Sequence, residues 1–373
     1  MSAILLGPAV IAAFSVVLGI LISIIDRIVN NYGEVTISIN GGKKTLTVNG
    51  GSKLLGTLAA ENLFIPSACG GRGSCGACKV KVLSDVGPVL PTETPYLSVA
   101  ELEGNVRLAC QIKLKKNIEI EIPEEIFSVR RYNSTLESMV DVTYDIKELT
   151  FNLGSGAEID FVSGQYMQLV APAYGDVAES TQRAYSIASR PLDKNRVQLL
   201  VRLVPGGIVT GWVFKHLKVG MKVELIGPFG DFHVHDTKAA MICVAGGSGM
   251  APFKSMFADM FERNAYPDKD IWYFFGARTT RDMFYLDELR ELEKKWPRFH
   301  FIAALSEPKP EEKWEGDVGL ITDVLDRYFR EKIGSDKPLE GYLCGSPGMI
   351  DACVRVMTKN GIAAEDIFFD KFA

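Results

Sequence analysis

The chain has 373 residues, enough for roughly two or three domains with sizeable cores. Its 41 Lys and Arg against 46 Asp and Glu leave a net charge of −5, which excludes the basic excess that a nucleic-acid partner requires. A composition of 47% hydrophobic and 23% charged residues excludes a largely disordered chain, and an odd set of seven Cys excludes a fully paired disulfide scaffold.

Ala3 to Ile25 carries no charge and only Ser15 and Ser23 as polar side chains. As a helix it would span about 34 Å, against a hydrocarbon core of about 30 Å. No basic region precedes it, so it reads as an N-terminal transmembrane helix rather than a cleaved signal. Arg27, Lys43 and Lys44 follow the apolar end. The positive-inside tendency therefore predicts a single-pass protein of the inner (cytoplasmic) membrane with its catalytic domains facing the cytoplasm. Residues 1–33 form this helix and its linker.

From residue 34 the pattern changes. Val35, Ile37 and Ile39, then Leu46 and Val48, alternate on either side of Asn40-Gly41-Gly42 and predict a β-hairpin. Ser52 is the expected N-cap of a short helix through Glu61. Cys69, Cys75, Cys78 and Cys110 follow with spacing C-x5-C-x2-C and x31-C, the first three set among glycines that let a loop wrap a cluster. Four thiolates suit a [2Fe–2S] cluster; a structural zinc site would usually pair two C-x2-C knuckles, and one is present. On these residues the segment resembles β-grasp ferredoxins, an α+β fold, and we bound this domain at 34–126. The five-residue spacing between the first two ligands is similar to vertebrate-type ferredoxins rather than plant-type ones.

Alternating runs such as Gln165 to Val170 and Val197 to Val204 predict an antiparallel β-barrel over 127–235. Within it, Arg183-Ala184-Tyr185-Ser186 sets a guanidinium, a flat aromatic and a hydroxyl along one extended segment. Gly206-Gly207-Ile208-Val209-Thr210 opens a helix whose first N–H groups suit a phosphate, and Gly227-Pro228-Phe229-Gly230 makes a turn. These motifs in this order resemble the ferredoxin-NADP reductase superfamily. The resemblance implies an FAD domain with Arg183, Gly207, Val209 and Thr210 at the flavin phosphates and Tyr185 and Ser186 against the ring, Ser186 beside its reactive nitrogen.

The remainder, 236–373, alternates strands and helices. The apolar strand Ala239 to Ala245 leads through Gly246, Gly247, Gly249, Met250 and Pro252 into a helix from Phe253 to Arg263, a strand-loop-helix cradle for a nucleotide phosphate. Strands at Ile271–Gly276, Phe299–Leu305 and Gly341–Cys344 alternate with helices at Tyr285–Lys295, Leu320–Arg330 and Met349–Lys359, predicting an α/β doubly wound nucleotide-binding domain for NAD(H). Cys344-Gly345 ends a strand where such sheets bind ligands, and the resemblance places this pair beside the nicotinamide. A nucleophilic Cys344 lacks an evident base, so the thiol is expected to shape the hydride pocket. Cys243 and Cys353 read as core residues. His233 and His235 share a strand face without an evident third metal ligand. Relatives cover the flavin with a near-terminal aromatic, which nominates Phe372 as the third catalytic position beside Ser186 and Cys344.

Taken whole, this multidomain order of anchor, ferredoxin, FAD barrel and nucleotide domain is similar to the F-subunit family of the sodium-translocating NADH:quinone oxidoreductases. It implies electron flow from NADH to FAD to [2Fe–2S] to integral membrane subunits of a quinone reductase complex. The family usually carries a long insertion in the barrel; here only Ala173 to Gln182 separates Pro172 from Arg183. The same module order also occurs in oxygenase reductases, and a non-catalytic redox sensor is the remaining alternative.

Overall fold

The computed structural model describes residues 12–23, 32–67, 69–334 and 337–371. Residues 12–23 form helix α1, with Phe14, Val16, Leu18 and Ile22 exposed. The expected membrane segment lies only partly within the described residues, among which no helix is long and apolar enough to cross a membrane. Beyond it the chain divides into two compact units, one ending at Ser128 and one running Val129–Ala373.

The first unit is built on strands β1 (Glu34–Ile39), β2 (Lys44–Asn49), β3 (Lys79–Val82), β4 (Val106–Leu108) and β5 (Ile118–Glu121), in the order β2-β1-β5-β3-β4. The β1–β2 hairpin forms as the alternation predicts, Val35, Ile37 and Ile39 pointing into the core. Its turn is pinned by Asn40, whose side chain donates to Ile122 O at 2.9 Å and accepts from Ile122 N at 2.8 Å. Parallel pairing of β1 with β5 then joins the two ends of the unit.

Two short helices, α2 (Leu54–Ala60) and α3 (Val99–Glu103), flank this sheet. Ser52 is not the cap of α2: Lys53 occupies that position and no side chain caps the helix. The reason is backbone pairing. Leu114 N donates to Ser52 O and Leu54 N donates to Ile112 O, both at 2.9 Å, so the entry to α2 is held by the segment that follows Cys110.

Glu93 and Arg107 form an ion pair inside this unit, with Glu93 fully buried. The carboxylate accepts from Arg107 Nε at 3.0 Å and Nη2 at 2.6 Å, and from the N–H groups of Leu108 and Leu90. Arg107 also donates to Gly87 O and Pro88 O. Both carboxylate oxygens and all three guanidinium nitrogens are hydrogen-bonded, the condition under which burying two charges is tolerated.

The second unit has two sheets. Strands β6 (Arg130–Asp141), β7 (Ile146–Asn152), β8 (Tyr166–Ala171), β9 (Thr181–Ser186), β10 (Arg196–Arg202) and β11 (Lys222–Phe229) run antiparallel in the order β10-β7-β6-β11-β8-β9. An Ile187–Leu199 bridge draws the two edges together, and α4 (Ile208–Lys215) packs against β8 and β9. The short β8–β9 connection folds as a tight turn, closed by mutual backbone bonds of Tyr174 and Val177 at 3.1 and 2.8 Å.

The second sheet is wholly parallel. Its strands are β12 (Ala240–Gly246), β13 (Ile271–Ala277), β14 (Phe299–Leu305), β15 (Asp317–Val318), β16 (Leu339–Gly345) and β17 (Ile367–Lys371), ordered β15-β14-β13-β12-β16-β17. Helices α5 (Met250–Glu262), α6 (Leu286–Lys295), α7 (Ile321–Tyr328) and α8 (Pro347–Lys359) cover it. All four depart from the expected limits, α6 only by starting at Leu286 rather than Tyr285. The Gly247–Gly249 turn passes directly into α5, which starts at Met250 rather than Phe253. Pro347, favourable in a first turn, starts α8 before Met349. Helix α7 gives way to a π turn at Phe329 instead of reaching Arg330. The chain order reverses between β12 and β16, which makes that gap the switch point of the sheet.

Because Arg107 neutralises a buried carboxylate, Arg107→Ala is expected to destabilise the first unit by about 3–5 kcal/mol in urea unfolding. Hydrogen bonds from Arg107 and the backbone overcome the burial cost and hold the Glu93 carboxyl below its ordinary range. The pair's contribution is therefore complete above the ordinary Glu value of about 4.3 and is lost as pH falls through the depressed folded value.

Candidate functional site

At the switch point, the loop after β12 lies directly against the end of β16. A Cβ on Gly249 would collide with the carbonyl of Cys344 and stand 3.1 Å from Gly345 Cα, so only glycine permits this approach. Met349 packs over Gly246 and Gly345. Met250 and Pro252 lie in the first turn of α5, both buried. The predicted cradle residues Gly246, Gly247, Gly249, Met250, Pro252, Cys344 and Gly345 thus lie together at the switch point.

The barrel also reaches this point. Ser186, at the end of β9, donates through Oγ to Asp370 Oδ2 at 3.0 Å, and Asp370 stands beside Cys344 in the β16–β17 register. Burial raises the Asp370 carboxyl above its ordinary value; Ser186 opposes this and Asp231 adds to it. Cys344 is fully buried, and burial together with Asp370 pushes its thiol well above the ordinary range. A thiol held protonated in this way is a poor nucleophile.

Arg183 and Tyr185 precede Ser186 on β9, both half-buried, and burial raises the Tyr185 phenol. At the start of α4, Gly207 is the N-cap residue, and Val209 and Thr210 follow in the first turn, where N–H groups lack intrahelical acceptors. The Thr210 hydroxyl is engaged with its own turn, accepting from Val204 N at 3.2 Å. Phe372 lies outside the described residues.

Sequence reasoning missed two side chains here. Asp370 carries no local motif. Arg202, at the end of β10, is held by Asp145 (Nε to Oδ2, 2.8 Å) so that Nη1 comes within 3.1 Å of a Cβ built on Gly247. Its guanidinium thus stands beside the glycine loop.

In the first unit the four thiols form two pairs. Cys75 Sγ donates to Cys69 Sγ at 3.4 Å, and Cys78 hydrogen-bonds Cys110. Against burial, bonds from Ser74, Cys75 and Arg72 bring the Cys69 thiol down to about 7. The bond from Cys78, opposed by burial and helped by Gln111, brings Cys110 down to about 6. The partners Cys75 and Cys78 are raised, chiefly by burial and by the bond to Cys110 respectively. Among the described residues no three His, Cys, Asp or Glu side chains close on a single ion. Two thiol pairs are the donor set for two irons, each taking one pair, and so fit a [2Fe–2S] cluster. Tyr96 packs so closely over Gly76 that a Cβ there would lie 2.7 Å from its own.

His233 and His235 stack at 4.9 Å and His235 lies on Phe368 at 3.9 Å, an aromatic column rather than a ligand set. Cys243 and Cys353 are core residues.

Comparison with known proteins follows the same division. Residues 37–115 match the 2Fe-2S iron-sulfur cluster binding domain, 133–234 the oxidoreductase FAD-binding domain, and 243–355 the oxidoreductase NAD-binding domain. The F subunit of the Na(+)-translocating NADH-quinone reductase of Pseudomonas aeruginosa is 37% identical, over 91% of each chain. That of Neisseria meningitidis is 36% identical over 99% of each. The latter alignment spans 404 positions against the 373 residues here, so that relative carries residues this chain lacks. Among solved structures, the Amycolatopsis cytochrome P450 reductase GcoB is similar at TM-score 0.71 and 28% identity, covering 91% of this chain and 98% of its own. The ferredoxin reductase in carbazole 1,9a-dioxygenase follows at TM-score 0.65 and 25% identity, covering 91% and 99%.

Ionising Asp370 in its desolvated position costs folding free energy that grows as pH rises above the ordinary Asp value of about 3.9. Asp370→Asn is therefore expected to be more stable than the parent at pH 7, with the gain vanishing below about pH 4. Thermal unfolding across that pH range checks both the sign and the window.

Proposed function

The chain belongs to the family of Na(+)-translocating NADH-quinone reductase F subunits, and from that membership we propose that it is the NADH-oxidising subunit of a membrane quinone reductase, passing electrons from NADH through FAD to a [2Fe–2S] cluster. The observation that carries this reading is the near full-length similarity to a named F subunit, with all three cofactor domains in the same chain.

Bound FAD would supply the conversion of a hydride pair into single electrons, the form a [2Fe–2S] cluster carries. The residues divide the remaining work. Arg183 and the first N–H groups of α4, those of Val209 and Thr210 above the Gly207 turn, hold the flavin diphosphate. Tyr185 lies against the ring. Gly246, Gly247 and Gly249, with Arg202, receive the diphosphate of NADH, and Met250 and Pro252 fix the entry to α5. Cys344 and Gly345 bound the nicotinamide end and exclude water. Ser186 holds its hydroxyl proton toward Asp370, which fixes the hydroxyl's direction. Phe372 covers the flavin face. Cys69, Cys75, Cys78 and Cys110 bind the cluster.

Ala3 to Ile25 anchors the protein in the inner membrane, leaving the catalytic units in the cytoplasm, and integral membrane subunits take the electrons. The uncharged run followed by Arg27 supports this topology. The two similar solved reductases, named for a cytochrome P450 and a dioxygenase, support an oxygenase as the alternative acceptor. A mild-detergent pull-down separates the two: integral membrane subunits support the first reading, an oxygenase the second.

The full chain should contain stoichiometric FAD and iron and reduce a dye with NADH, while a form lacking residues 1–33 keeps that activity and leaves the membrane. Loss of one charge-assisted bond in Arg183→Ala, worth about 1.5–3 kcal/mol, should weaken FAD retention roughly 10- to 100-fold and leave the cluster's paramagnetic signal intact. Full NADH-to-dye activity in a flavin-free preparation would contradict the scheme.

Donor choice follows from the strand ends. Arg278, just after β13, is the cation we assign to a 2′-phosphate of NADPH, and Glu307 is paired with it at 3.4 Å. We assign NADH preference to that carboxylate. In Glu307→Gln the ratio of kcat/KM for NADPH to that for NADH should rise several-fold, and an unchanged ratio would refute the assignment.

A further inference from the structure

Cys110 is the ligand farthest along the chain from the cluster loop, and its sulfur has a neighbour that the thiol spacing does not explain. Gln111 Nε2 donates to Cys110 Sγ at 3.3 Å. The other end of the same amide is also engaged: Thr92 Oγ1 donates to Gln111 Oε1 at 3.1 Å. The amide lies across the cluster loop, 2.6 Å from a Cβ built on Gly73. The residue after Thr92 is Glu93, locked to Arg107 in the buried ion pair three residues before Cys110. Two segments that reach the cluster from different parts of the sequence are thus clamped together, with Gln111 between them.

The direction of the amide is set by chemistry. A cluster-bound thiolate only accepts, so the NH2 end must face the sulfur, which leaves the carbonyl for the Thr92 hydroxyl. Reduction adds one electron, drawn from NADH through the flavin, and breaks no bond. The added negative charge spreads over the ligand sulfurs and strengthens any hydrogen bond donated to them, so such a bond favours the reduced form. We propose that Gln111 sets the reduction potential of the cluster through its bond to Cys110, and that Thr92 is the positioning residue that holds the amide in line. This rests on the four cysteines binding a [2Fe–2S] cluster.

The test is an EPR-monitored redox titration of the full chain in detergent, with the flavin midpoints as internal reference. In Gln111→Leu the cluster midpoint should fall by the equivalent of about tenfold in the one-electron equilibrium, about 59 mV. Gln111→Glu, which adds a negative charge and no donor, should fall further. Thr92→Val should fall less, and the flavin midpoints should stay in place throughout. A cluster midpoint unchanged in Gln111→Leu at full occupancy would overturn the proposal. Should that variant lose its cluster, the wild-type protein decides: pulsed EPR after labelling glutamine side chains with 15N should show a coupling to the reduced cluster, and its absence overturns the proposal. A wild-type chain with no reduced-cluster signal at all would instead refute the cluster assignment, and this inference with it.

Discussion

The contact between Gly249 and the carbonyl of Cys344 is the constraint on which the nucleotide site depends. A parallel sheet opens a crevice where its strand order reverses, but the crevice is useful only if the loops at its two sides approach without filling it. With hydrogen in place of Cβ, the β12 loop lies against the end of β16 and the start of α5 is brought to the same point. The glycine loop after β12 and the Cys344–Gly345 strand end meet at that single approach.

A second consequence is energetic. The edge strand β17 carries Asp370 into a desolvated position beside a buried thiol, with the Ser186 hydroxyl as its hydrogen-bond partner. A carboxyl held there opposes folding at neutral pH, whereas an uncharged side chain would not. This desolvated carboxyl lies where the barrel and the nucleotide sheet meet. The fully satisfied Glu93–Arg107 pair shows the opposite case. It is charged, buried and stabilising, and its place in the fold is to hold a loop beside the iron ligands.

The cluster unit follows the same logic of local freedom and distant restraint. Glycines let the loop from Cys69 to Cys78 fold back on itself, and Tyr96 and Gln111 pack against it at Gly76 and Gly73. Within the unit Cys75 hydrogen-bonds Cys69 and Cys78 hydrogen-bonds Cys110, so the four thiols stand together at one end of it.

Much was legible in the amino-acid order because it obeys rules that act over a few residues. Val35, Ile37 and Ile39 had to share a face, an uncharged run at the N-terminus had to be a candidate anchor, and thiols at C-x5-C-x2-C among glycines had to suit a cluster, since period, hydropathy and spacing are local properties. What only the tertiary structure decided were contacts between residues far apart in sequence. Ser186 meets Asp370 across 184 positions. Arg202 arrives over Gly247, Glu307 comes to face Arg278, and pairing with Ile112 and Leu114 rather than Ser52 holds the entry to α2. None of these leaves a local pattern, because each follows from strand order and register, and those are settled by the packing of the whole chain.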